Sequence, residues 1–260
     1  MSRRGRGEPA ALTGEAAGPI VRRSPVPAPS VRIAAVAPSL PRRCGSEFVG
    51  TLLLVGAGCG AAAVDTATGG ALGPAGVGLA FGLVVFAAIE TVGPTGGAHL
   101  NPAVTVAFAL AGRLRWRDVG PYALAQCLAA VAASFALRAV LGAEATGGSA
   151  THPNAALGVT AAGAFGLEAA LTCGLMTVIL AVATGPKEKG LTAGLTIGAT
   201  VGWMATAFGP ACGASMNPAR SLGPAVAVAD WADLWVYLLA PVLGAAAAVP
   251  VYRAVRPTPS

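Results

Sequence analysis

The sequence predicts an all-α membrane protein built from six transmembrane helices and two half-helices in two inverted repeats. Three observations lead there. Asp, Glu, Lys and Arg make up only 11% of the 260 residues while 55% are apolar, too little charge to clothe a soluble domain of this size. Residues 190–219 run 30 positions without a charge and residues 234–252 run 19, where a spanning helix needs about 20 apolar residues. The tripeptide Asn-Pro-Ala stands at Asn101, Pro102, Ala103 and again at Asn217, Pro218, Ala219. Each copy sits between a glycine-rich approach and an apolar run too short to cross a bilayer.

Residues 1–45 are rich in Pro, Arg, Ser and Gly without sustained periodicity, which predicts a disordered, basic cytoplasmic tail. Apolar runs bounded by glycine and proline then place spans over 46–64, 73–92, 119–141, 161–184, 190–208 and 233–252. Two half-spans follow the second and fifth of these, over 102–112 and 218–228. The channel-like body thus covers 46–256, with repeats over 46–141 and 161–252, and 257–260 form a short cytoplasmic end.

Basic residues set the orientation. Eight of the 17 precede Ser46, and others cluster at Arg113, Arg115 and Arg117, at Lys187 and Lys189, and at Arg253 and Arg256. The intervening loops 65–72 and 142–161 have no Lys or Arg, so the basic side, with both termini, is cytoplasmic. The formal charge of +6 does not form a basic stripe interleaved with aromatics, and no nucleic-acid partner is expected. Cys44, Cys59, Cys127, Cys173 and Cys212 show no metal-ligand spacing, so neither a disulfide framework nor a metal or other cofactor is expected.

The repeat is legible in two further segments. "SEFVGTLLL" from Ser46 and "GLEAALTCGL" from Gly166 each place a glutamate, Glu47 and Glu168, near the start of an apolar span. Three full spans separate equivalent points, so the second repeat lies inverted and the half-spans enter from opposite sides. Asparagine is a strong N-cap and proline suits the first helical position, so Asn101 and Asn217 should cap two short helices. Their N-termini, each carrying about half a positive charge, then meet near the midplane. Irregular backbone at that depth survives only where it is buried in protein or lines water, and both tripeptides should border a pore.

"GGAHLNPAVT" and "GASMNPARSLGPA" resemble the major intrinsic protein family of aquaporins and aquaglyceroporins. "WVYLLAPVLGA" and the second motif are most similar to its nodulin-26-like branch and bacterial relatives. The resemblance covers about 46–256 and implies a right-handed helical bundle, one pore per subunit, a homotetramer, and a cell-membrane location with the lipid bilayer as surroundings. It implies a filter of Phe81, Ala205, Ala214 and Arg220, counted from the two asparagines. The water-selective branch has histidine at the position of Ala205, so this constriction should be wider and less polar. That implies passage of water and small uncharged solutes such as polyols or metalloid hydroxides, with exclusion of protons and ions by Arg220 and the half-helix dipoles.

Glu47 and Glu168 admit two readings, a proton relay or acceptors for the exposed backbone ahead of each half-helix, and the resemblance favours the second. His99 is read as a structural or vestibule residue, and Cys212 as a thiol that a mercurial reaches from the outer vestibule. Pro94 stands where the family usually has histidine, and Glu90 puts an acid at the inner end of the second span. Ser221 and Ala225 follow the water-channel pattern instead, which keeps a strict water channel open as an alternative. A coupled transporter would need ionisable groups at the midplane, and a closed structural protein is the third reading. Nothing in the sequence pairs a nucleophile with a base, so no enzymatic activity is expected.

Overall fold

The computed structural model describes residues 38–183 and 191–256. The expected tail up to residue 37, Lys187, Lys189 and the last four residues lie outside the described residues. Among the described residues the chain is helical throughout, without strands. We number the helices α1 (Leu40–Ala67), α2 (Gly73–Gly96), α3 (Pro102–Leu110), α4 (Trp116–Leu141), α5 (Ala143–Gly147), α6 (Ala161–Val182), α7 (Leu191–Cys212), α8 (Pro218–Val228) and α9 (Leu234–Val255).

Five of these, α1, α2, α4, α6 and α9, are long and apolar enough to cross a membrane. The sixth expected span is α7, whose 22 residues carry no charge and match the length a spanning helix needs. α3 and α8 are the two half-helices, of 9 and 11 residues. At 1.5 Å per residue they reach only about 13–17 Å, half of the hydrocarbon core.

Several helices run past their expected ends. α1 starts at Leu40 rather than Ser46, with Pro41 in its first turn, because Arg43 is anchored at 3.0 Å on the buried carboxylate of Asp118 in α4. α2 continues through Pro94 to Gly96 and ends on Gly97 at φ 96°, a left-handed stop that glycine adopts without strain. α7 continues through Pro210 to Cys212. Its last carbonyls find partners in the loop after α5, where Asn154 donates Nδ2 to Pro210 O at 2.7 Å and its own N–H to Ala211 O at 3.0 Å.

Packing follows the repeat. α1 packs on α4 as α6 packs on α9, and each half-helix lies against the last span of the other repeat, α3 on α9 and α8 on α4. Small residues permit the close crossings that membranes favour. Where α2 crosses α7, a Cβ on Gly82 would stand 2.8 Å from Gly198 O and one on Gly202 would stand 3.1 Å from Gly78 O. Where α8 crosses α4, a Cβ on Gly223 would stand 2.6 Å from Ala130 O.

Candidate functional site

The two approach segments, 97–100 and 213–216, have matching backbones. Gly97, Ala98 and Leu100 hold φ of 96°, 49° and 54°, while Gly213, Ala214 and Met216 hold 85°, 39° and 53°. Left-handed alanine, leucine and methionine cost on the order of 1–3 kcal/mol each and persist only when the surroundings over-determine them. The two glutamates supply that constraint. Glu47 accepts from His99 N at 2.9 Å and Leu100 N at 2.7 Å, and Glu168 accepts from Ser215 N and Met216 N, both at 2.7 Å. Both carboxylates have no exposed surface. Glu47 gains a third donor, Gln126 Nε2 at 2.8 Å, which also reaches Thr105 Oγ1 at 3.1 Å.

Each asparagine caps its half-helix as its side-chain chemistry dictates. Asn101 Oδ1 accepts from Ala103 N at 2.8 Å, and Asn217 Oδ1 accepts from Ala219 N at 3.0 Å. Each amide also crosses the pseudo-symmetry axis, Asn101 Nδ2 donating to Met216 O at 2.7 Å and Asn217 Nδ2 to Leu100 O at 2.8 Å. An amide nitrogen carries two hydrogens, so one fixes the two repeats together and one is left for a passing oxygen. The half-helices therefore meet N-terminus to N-terminus, each with partial positive charge.

A cavity of about 440 Å³ runs past this junction. Asn101, Asn217, Phe81, Ala205, Ala214 and Arg220 all line it, together with His99 and aliphatic side chains such as Val85, Ile179, Ile197 and Val201. The Arg220 guanidinium lies over the Phe81 ring, 5.1 Å from its centroid, and donates Nη1 to Ser149 O at 2.7 Å. It is 6% exposed, so its charge is presented to the lumen and not to bulk water. His99 stacks on Phe108 with ring centroids 4.5 Å apart, and its Nδ1 is 3.2 Å from Thr105 Oγ1. No group of His, Cys, Asp and Glu among the described residues has the arrangement of a metal site.

Cys212 is placed otherwise than expected. It is the last residue of α7, fully buried, with Sγ turned back to Phe208 O at 3.6 Å and outside the cavity lining. The thiol follows its own helix because α7 continues through Pro210, so it does not face the vestibule. Ser221 also stands outside the lining, bonded to Ser215 Oγ at 2.5 Å and Thr151 Oγ1 at 2.9 Å.

Three contributors escape sequence reading. A π-helical turn, Val55–Cys59, interrupts α1 and sets Gly58 against the edge of Phe81, where a Cβ would stand 2.2 Å from Cε1. Such turns recur at functional sites, but no residue pattern announces this one. The carbonyl of Ser149 carries no side-chain signal at all. Arg138, the one arginine outside the basic groups besides Arg220, donates to Ala227 O and so caps the C-terminal turn of α8.

Two facing half-helices, a cavity lined from both repeats and six flanking helices define a membrane channel. The family model described as "Major intrinsic protein" matches residues 35–252, and the chain belongs to that family. It is 43% identical to Aquaporin NIP3-1 of Zea mays over 231 residues, covering 89% of this chain and 73% of the relative. It is likewise 43% identical to Aquaporin NIP6-1 of Arabidopsis thaliana over 218 residues, covering 84% and 70%. Among solved structures it resembles the aquaglyceroporin from Plasmodium falciparum, with a TM-score of 0.76, 28% identity, and coverage of 84% of this chain and 97% of that one. The relatives are nodulin-26-like aquaporins, as the motifs implied, and the chain is a multi-pass membrane channel for water and small solutes.

Proposed function

We propose that the channel passes small uncharged, hydroxyl-bearing solutes, polyols and metalloid hydroxides, as well as water, and excludes protons and ions. The observation that carries this reading is the makeup of the constriction. Phe81 and Arg220 lie face to face across one wall, and the other two positions are the methyl groups of Ala205 and Ala214. Two methyl groups give width and an apolar flank, Arg220 gives hydrogen-bond donors, and pore diameter with lining donors is what selects a solute. The asparagine amides and the half-helix N-termini keep the junction hostile to cations and hydronium. The structural neighbour named as an aquaglyceroporin supports the same reading.

In this account Glu47, Glu168 and His99 hold the approach segments and do not relay protons, since both carboxylates are occupied by backbone donors. The pore domain spans 46–256, assembled as a homotetramer in the cell membrane with both termini cytoplasmic, the last following from the distribution of arginine. Stopped-flow light scattering on proteoliposomes tests the solute class. Swelling in glycerol and boric acid gradients well above protein-free vesicles is expected, with no proton flux reported by an entrapped pH dye. Flux of water alone would make this a strict water channel.

A further inference from the structure

Among the described residues lining the cavity, three side chains are ionisable: Arg220, His99 and Glu90. Arg220 and the two half-helix N-termini are positive, and positive potential that repels cations draws small anions with equal force. Glu47 and Glu168 do not line the lumen and are committed to the approach-segment N–H groups. Glu90 is therefore the one acidic group presented to the permeation path among the described residues.

Its place is the mouth away from the filter. Glu90 lies nine residues beyond Phe81 on the same helix, about 13 Å along the axis, and its side chain is exposed. Among the described residues it forms no ion pair. Opposite it stands Gly194 of α7, where a Cβ would come within 2.5 Å of Glu90 Oε1, so the absence of a side chain there leaves the carboxylate its room at the mouth.

Resting on the channel reading above, we propose that Glu90 is a specificity-determining residue that repels small anions from this mouth, so that weak acids permeate only in undissociated form. The pore is thereby guarded by charge of opposite sign at its two ends, Arg220 against cations and Glu90 against anions.

The test uses the full chain in proteoliposomes with an entrapped chloride-quenched dye, valinomycin balancing the charge, and water flux measured on the same vesicles. Unit charges a few ångströms apart in water change a local ion concentration by about fivefold. The chloride-to-water flux ratio should rise about fivefold in Glu90→Gln and about 25-fold in Glu90→Lys. The difference between wild type and Glu90→Gln should shrink as salt rises from about 0.01 M to about 1 M, where the screening length falls from about 30 Å to about 3 Å. A ratio unchanged in both variants, or a change indifferent to salt, overturns the proposal. Absence of water flux in the wild-type vesicles would instead overturn the channel reading beneath it.

Discussion

Replacing Glu168 by leucine removes the acceptor for two backbone N–H groups, Ser215 and Met216, both bonded at 2.7 Å in a region with no exposed surface around the carboxylate. A buried donor left without a partner costs about 1–3 kcal/mol, so Glu168→Leu should destabilise the protein by about 2–6 kcal/mol. Glu168→Gln keeps one acceptor oxygen but turns an amide donor toward the second N–H, and about half that loss is expected. Glu47→Leu strands His99 N and Leu100 N in the same way, while Gln126 retains Thr105 Oγ1 as a partner; its cost should match that of Glu168→Leu within the same range. Because the left-handed residues Ala214 and Met216 depend on this anchor, the loop should relax, Asn217 should lose its bond to Leu100 O, and water flux should fall with stability. Unfolding in mixed micelles titrated with dodecyl sulfate, followed by circular dichroism, reads the first quantity and proteoliposome flux the second. A Glu168→Leu variant within about 0.5 kcal/mol of wild type and fully conducting would refute the reasoning, for it would mean that pore water satisfies those donors.

Two further outcomes follow from packing. In Gly58→Ala the new methyl displaces the Phe81 ring, whose free side is the lumen; overpacking of this kind costs about 1–3 kcal/mol, and glycerol permeability should fall more than water permeability in stopped-flow traces. An unchanged ratio of the two would show that the π-helical turn does not set the filter. A membrane-impermeant mercurial should leave water flux intact, since Cys212 is fully buried and no cysteine lines the cavity; inhibition that disappears in Cys212→Ser would contradict that placement.

Local chemistry explains which features the sequence discloses. Asn101 and Asn217 are readable because N-cap, proline at the first helical position and a short apolar run act within four residues. Doubling that pattern with Glu47 and Glu168 at similar distances, 54 and 49 residues before the asparagines, reveals the repeat and its inversion. Helix ends are less legible: Pro94 and Pro210 read as stops, yet both helices continue, α7 because Asn154 from a distant loop accepts the role of capping its carbonyls. The misplacement of Cys212 follows directly from that missed turn. Ser149 holds Arg220 through a backbone carbonyl, and Gly58 acts through an absent side chain; neither kind of contact leaves a residue-type signature. Arg138 acts on the backbone carbonyl of Ala227, a partner that no residue pattern in the sequence names.

The most direct test of the wide, half-apolar filter is the Ala205→His variant, compared with wild type for water and glycerol permeability in the same proteoliposome preparation. Ala205 lines the cavity with Phe81 and Arg220, and an imidazole there adds both bulk and a donor to the constriction. Wild type should pass glycerol, and Ala205→His should lose it while retaining water flux. Glycerol permeability undiminished by the histidine would contradict the account and place the constriction elsewhere in the pore.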